Sequence, residues 1–274
     1  MPGGPGRLQS GEPSATAMGV AIRRAAHQLF DDPKVLDDPM ATRIIGAQAL
    51  ERLKGEEGRH RHPFNLALRA HVVARSRYAE DRLQAAYEKG VRQYLVLGAG
   101  LDTFGWRNPH ADLKVFEVDH PSTQAWKRAS VAAMGAEPPA SLVFAPLDFQ
   151  TQTLADGLAA AGFEDGSPAF VSWLGVAMYL SEEAVMRTLA TLARLPSPSE
   201  VVFDFGVSPK SLAPLARLAQ QALAARVAAA GEPFLSAFDP KALPARLKAL
   251  GYADVEVVPP TRSTRSISMG ARMA

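Results

Sequence analysis

A buried-looking strand that runs straight into glycines, followed by a second strand ending on an acid, constrains this chain more than any other feature. The stretch is Gln93 to Pro121, QYLVLGAGLDTFGWRNPHADLKVFEVDHP. Gln93-Tyr94-Leu95-Val96-Leu97 is a short apolar run, suited to a strand covered on both faces. Gly98-Ala99-Gly100 follows at once, and glycine there lets the backbone turn tightly and lets a ligand come close to main-chain N–H groups. Lys114-Val115-Phe116-Glu117-Val118-Asp119 is the second strand, and its terminal carboxylate stands 19 residues after Gly100. In open α/β sheets a ribose diol is held at that place, at the carboxyl ends of neighbouring strands. The chain is therefore expected to be α/β, with a doubly wound Rossmann-like sheet.

The dinucleotide fingerprint G-x-G-x-x-G needs a third glycine, and counting from Gly98 that place is Thr103. Without it, close helix–strand packing beside a pyrophosphate is lost. The reading shifts to a nucleoside ligand lacking a pyrophosphate, such as S-adenosylmethionine. A G-x-G pair alone is equally a plain strand-to-helix turn; the strand before and the acid after favour the nucleoside. A dehydrogenase is the weaker option.

The wider motif set is more specific. GAGLDT, WR and FEVDHP, in that order, resemble the leucine carboxyl methyltransferase family of class I S-adenosylmethionine-dependent methyltransferases. LFDDP…DDPMA is similar to the family's usual start, ARSRYAED to its Arg-Thr-x-x-x-Asp helix, and LGVAMYL to its E-G-x-x-x-Y-L segment. The resemblance implies a seven-stranded sheet, an N-terminal helical extension over the cofactor, and an inserted helical lid before the last, antiparallel strands. It implies that Arg75 binds the methionyl carboxylate, that Gly98, Ala99, Gly100, Asp119 and His120 line the cofactor site, and that Asp148 and Phe149 contact adenine. On sequence alone Asp148 could equally cap a helix. Where the family has the glutamate that binds the cofactor amino group, this chain has Leu174. The amino group then falls to backbone carbonyls, with Gly98 and Leu174 as candidates, or to another acid.

Tyr179, after the end of the fourth strand, and Asp204, within the fifth, are the candidates for catalytic help. Tyr179, Phe234 and Phe238 are the candidates for acceptor contact. Each has a plainer reading as a packed or internally bonded core residue. Methyl transfer from a sulfonium is an in-line displacement, so the protein mainly aligns three atoms, which supplies on the order of 7–11 kcal/mol. A carboxylate acceptor needs no base at neutral pH, whereas a hydroxyl does. The expected activity is O-methylation of a carboxylate or hydroxyl on a small, polyketide-like molecule. Methylation of a protein or peptide C-terminal carboxylate, or cofactor binding without catalysis, are the alternatives.

Composition narrows the partners. The chain has 274 residues, 47% of them apolar, a formal charge of +2 and no cysteine. Mixed charge argues against a nucleic-acid binder, and the missing thiols exclude disulfides and cysteine-based metal sites. His60 and His62 sit in Gly55 to Pro63, which reads as a solvated loop and not a metal site. MPGGPGRLQSGEPS lacks the apolar core of a signal peptide and no segment approaches a membrane span, so a cytoplasmic protein is expected.

Along the chain, residues 1–15 are expected to be disordered and 16–274 to form one domain. Within it, 16–90 is a helical cap, 91–205 the cofactor-binding core, 206–250 a substrate lid and 251–274 the terminal strands. Asp31-Asp32-Pro33 and Asp37-Asp38-Pro39 are expected to restart helices with Asp as N-cap. Asn65 to Lys89 is expected to be a long helix whose charges, Arg75 apart, form a solvated face. The last two strands are expected at Val255–Val258 and Ser266–Met269.

Overall fold

The computed structural model describes residues 15–148, 152–258 and 270–272. The N-terminal part is helical: α1 (Ala15–Phe30), α2 (Ala41–Ile44), α3 (Ala47–Gly55), α4 (Glu57–His60) and α5 (Pro63–Glu88). Strands and helices then alternate through β1 (Gln93–Leu97), α6 (Phe104–Arg107), β2 (Lys114–Asp119), α7 (Pro121–Ala133) and β3 (Leu142–Pro146). They continue with α8 (Leu154–Ala160), β4 (Ala169–Trp173), α9 (Glu182–Leu192) and β5 (Glu200–Phe203). The chain closes with α10 (Pro214–Ala229), α11 (Leu243–Ala249), β6 (Asp254–Glu256) and β7 (Gly270–Arg272).

The strand order is β3-β2-β1-β4-β5-β7-β6. The five strands β1 to β5 are mutually parallel, and the three-residue β6 and β7 extend the edge antiparallel. The body of the sheet is thus five parallel strands, with two short additions. The final strand expected over Ser266–Met269 lies outside the described residues; the described one begins at Gly270.

Period-2 alternation splits the strands between two cores. Leu95, Leu97, Phe116, Val118, Val171, Trp173, Val201 and Phe203 point to one face, beneath α8, α9 and α11. Tyr94, Val96, Val115, Phe170 and Val202 point to the other, against Ala79, Leu83 and Ala86 of α5. All five β1 residues are buried, as the apolar run required. Lys127 of α7 reaches into the sheet and pairs with buried Glu117 of β2 at 2.5 Å. A third cluster joins α1 to α3 through Ala21, Ala25, Ala26, Ile44, Ile45 and Leu53.

Three local expectations fail. No helix restarts at Pro33, and α2 begins at Ala41 with Met40 as N-cap. The acids are drawn into ion pairs instead: Asp31 holds Arg69 at 2.6 Å and Asp38 holds Arg24 at 2.5 Å, both arginines being buried. A buried guanidinium left unpaired is costlier than an empty cap. Likewise Gly55 to Pro63 is mostly helical, since Arg59–Glu56 and Arg61–Glu57 pair at helical spacing, 2.9 and 2.7 Å apart. The charges of α5 are also not all solvated: Arg82 reaches buried Glu200 with two hydrogen bonds of 2.6 and 2.7 Å.

Candidate active site

The order reversal of the sheet falls between β1 and β4, which are direct neighbours. Crevices open outside the carboxyl ends of strands at such a point. Here the crevice is a cavity of about 410 Å³ that includes Gly98, Asp119, Asp148, Leu174, Tyr179 and Arg75 in its walls. That volume suits a small organic ligand.

The floor is main chain. Gly98 and Gly100 have φ of 65° and 49°, the left-handed region that favours glycine. The amides of Gly98 and Ala99 donate to the Val118 carbonyl at 2.8 and 3.1 Å, which pins the turn to the end of β2. A Cβ on Gly98 would stand 2.3 Å from Val176 Cγ2, so the turn is closed against the segment after β4. Asp119 accepts from the Gly100 amide at 2.5 Å and from the His120 amide at 2.6 Å. Burial raises its carboxyl above the ordinary value, and those two amides offset only part of the rise. His120 itself is the N-cap of α7, accepting from the Ser122 amide.

Five described acids face the cavity: Glu80, Asp102, Asp119, Asp148 and Glu232. Glu80 is committed to Arg107 at 2.6 Å, and Asp102 to Arg24 at 3.0 Å and to the Phe104 amide at 2.7 Å. Glu232 accepts from the Thr16 amide at 3.1 Å and from its hydroxyl. Among the described residues Asp148 caps no helix, since α8 starts at Leu154 with Thr153 as N-cap. Its neighbour Phe149 lies outside the described residues.

Arg75 of α5 enters the cavity wall, 6% exposed. Its Nη1 donates to Asp204, whose other oxygen accepts from the Gly175 amide at 2.6 Å. Burial alone would raise the Asp204 carboxyl, but Arg75, His71 and the Gly175 amide hold it well below the usual carboxylate range. Gly175 has φ 76°, and a Cβ there would lie 2.7 Å from Arg75 Nη2, so glycine makes room for the guanidinium. Arg75 Nε is buried without a partner. Such an orphan donor beside a cavity fits an anionic ligand group.

Asp204 is therefore behind Arg75 and not among the cavity walls. Its expected catalytic place is corrected: an ion-paired carboxylate of lowered basicity accepts no proton near neutrality. Tyr179 does face the cavity, on a 3-10 turn over Ala177–Tyr179. Burial raises its hydroxyl pKa, against a hydrogen bond with Thr16. Phe234 packs on Tyr179 with centroids 5.3 Å apart, outside the cavity walls, while Pro233 and Leu235 line them. Phe238 is 2% exposed, edge-on to Phe205, and thus core and not an acceptor contact. Its backbone explains this: the Phe238 amide donates to Gly206 and its carbonyl accepts from Ser208, fastening the segment onto the end of β5.

Sequence reasoning missed the charged cluster that joins the helical cap to the glycine turn. Arg24 pairs with Asp38 and Asp102, and its Nη2 also donates to Thr103 Oγ1 at 2.8 Å. Arg107 completes it through Asp38 at 3.2 Å and Glu80. Asp102 and Thr103 in GAGLDT, Arg107 in WR, Asp38 in DDPMA and Glu80 in ARSRYAED lay inside the motifs that carry the resemblance, whereas Arg24 carried no signal. Among the described residues no group of three metal-ligating side chains occurs, and no helix is long and apolar enough to cross a membrane.

Comparison with known proteins identifies the family. The leucine carboxyl methyltransferase family profile matches residues 17–193. YktD of Bacillus subtilis, provisionally named an S-adenosyl-L-methionine-dependent methyltransferase, is 31% identical over 84% of this chain and 83% of its own. A Parafrankia protein given the same provisional activity is 34% identical over 67% of this chain, but the match spans only 59% of that longer relative. Among solved structures, a provisionally assigned methyltransferase from Thermobifida fusca superposes with TM-score 0.57 at 18% identity, over 96% of each chain, a likeness of fold.

Proposed function

The chain belongs to the leucine carboxyl methyltransferase family and is an S-adenosylmethionine-dependent methyltransferase, and from that premise we propose that it methylates an oxygen of a small acceptor, a carboxylate before a hydroxyl. The observation that carries the choice of acceptor is the state of the acids and the tyrosine around the crevice. Glu80 and Asp102 are tied to arginines, Glu232 to Thr16, and the Tyr179 hydroxyl is held protonated by burial. A hydroxyl acceptor needs a base, and a carboxylate arrives ionised.

When bound, S-adenosylmethionine supplies a methyl group activated by a sulfonium. Arg75 binds the methionyl carboxylate, with Asp204 and the Gly175 amide fixing the guanidinium. Asp119, whose hydrogen-bond partners among the described residues are main-chain amides, takes the ribose hydroxyls. Asp148 takes the adenine amine, and the carbonyls of Gly98 and Leu174 take the amino group. Tyr179 donates a hydrogen bond to the acceptor oxygen and orients it. Thr16, Glu232 and Leu235 close the crevice, and the exclusion of water strengthens each of these interactions.

Calorimetry with S-adenosylmethionine, followed by a methylation assay against carboxylic acids and phenols with mass detection, tests the reading. Saturable cofactor binding and esters in the product spectrum are expected. No cofactor binding would refute catalysis; ethers, or product only on a peptide C-terminus, would reassign the acceptor.

A further inference from the structure

Across α1 from the crevice lies a second cavity, of about 270 Å³. Val20, Ala21 and Arg24 of α1 face the crevice, while Gly19, Ile22 and Arg23 face this second space. Its charged lining is one-sided: Arg23, Arg52, Arg59, Arg69 and Arg226 against a single acid, Glu56. Arg59 pairs with Glu56 at 2.9 Å, and Arg69 is held by Asp31 through two hydrogen bonds of 2.8 and 2.6 Å. Arg23, Arg52 and Arg226 enter none of the ion pairs among the described residues; Arg23 donates to the Gly19 carbonyl at 2.7 Å.

These arginines come from α1, α3, α4, α5 and α10, so the convergence is tertiary and not a run of basic sequence. Unpaired guanidinium groups facing one cavity repel one another. Burial, and then the Arg226 and Arg75 charges, press Arg23 below its ordinary pKa. The His60 imidazole is pushed toward neutrality by burial and by Arg69 and Arg59, so it relieves nothing. An anion would turn the repulsion into attraction, and forked guanidinium groups match oxyanions.

We propose that this cavity is an oxyanion site for a carboxylate or phosphate group, with Arg23 and Arg226 as its principal ligands. The group is either a second acid on the methyl acceptor or a separate small anion. Arg23 links the two spaces, because it lies within electrostatic reach of Arg75 and Tyr179 in the crevice wall. The acceptor form of the proposal rests on the methyltransferase reading, whereas anion binding itself does not.

The probe is inorganic phosphate, compared with chloride at matched ionic strength to remove general screening. Phosphate is expected to raise the melting temperature of the full chain and to bind saturably by calorimetry. Arg226→Gln and Arg23→Gln should each weaken phosphate binding about tenfold, the scale of a charge-assisted hydrogen bond. Arg226→Gln should leave S-adenosylmethionine affinity unchanged, as Arg226 does not line the crevice. Arg226 is exposed, so its variant folds even if the Arg23 one does not. Phosphate no better than chloride, or undiminished binding in Arg226→Gln, would overturn the site. With a methylated acceptor in hand, competitive inhibition by phosphate assigns the cavity to the acceptor's own acid, and non-competitive inhibition or activation to a separate anion. If S-adenosylmethionine fails to bind, the methyltransferase reading falls while the phosphate result stands by itself.

Discussion

The two walls of the crevice are made in different ways. The floor, from Gly98 to His120, is main chain: two glycines in the left-handed region, amides turned onto Val118 and onto Asp119. Every partner lies within one βαβ unit. The opposite wall is side chain and long-range. Thr16 meets Glu232 across 216 positions, Arg75 meets Asp204 across 129, and Arg24 meets Asp102 across 78. On the proposed reading, the locally built floor takes the nucleoside. A wall built from distant side chains is free to differ between relatives, and on the same reading it takes the acceptor.

The strongest way to break this division is Arg75→Ala, because Arg75 belongs to the side-chain wall yet is assigned to the cofactor. Removing it strands Asp204, 7% exposed, with a buried charge and only the Gly175 amide and a His71 nitrogen 3.8 Å away. Loss of one partner of a buried pair costs about 3–5 kcal/mol of stability. Urea unfolding should show that loss, and S-adenosylmethionine titration of the folded fraction should show affinity lowered by at least about tenfold. Unchanged affinity would remove Arg75 from the cofactor site. The pair also sets a pH dependence. Asp204 has a lowered folded pKa, so its contribution to stability is present above the ordinary carboxylate value, about 3.9, and is lost as pH falls through the lower folded value. Stability of the parent protein should therefore fall more steeply below about pH 4 than that of Asp204→Asn.

Next in size is a change confined to the floor. Asp119→Ala removes the acceptor of two amides and the proposed ribose contact. Cofactor binding should weaken by about 1–3 kcal/mol, the cost of unsatisfied hydrogen bonds to a charged group. The acceptor KM at saturating cofactor should stay where it was. A change in acceptor kinetics alone would mean that the ribose assignment is wrong.

The same division explains what the sequence made legible. Strand β1, the glycine turn and Asp119 follow from burial, backbone geometry and period-2 patterning, each of which acts within a few residues. The N-terminal acids were misread for the same reason. Asp31 and Asp38 precede proline, a local signature of a helix start, but their partners Arg69 and Arg24 are fixed only once the chain has folded. Phe238 looked like a lid aromatic from its loop position, and the bridge between Val207 and Phe238 turns it into core. The arginine cavity left no trace in a composition of +2, because its cations lie on five separate helices. Arg75, which the resemblance assigned to the cofactor, stands in the crevice wall, and the resemblance said nothing of the Asp204 partner behind it.

The smallest expected effect is the sharpest on the boundary between the walls. Glu232 holds the loop after α10 to the first turn of α1 through Thr16, and both residues are only partly buried. Glu232→Gln keeps the shape and removes the charge, so folding stability should change by no more than about 1 kcal/mol. The loop also rests on the turn that carries Tyr179, with the Leu235 amide donating to Met178 and the Ser236 hydroxyl to Ala177. Loosening it should therefore let Tyr179 and the acceptor drift together. Acceptor KM should rise severalfold while the cofactor Kd stays fixed, because the floor keeps its own hydrogen bonds. If the cofactor Kd moved as far as the acceptor KM, the two walls would have to be coupled through α1, whose Val20 and Ala21 touch the crevice on the same face as the loop's anchor at Thr16.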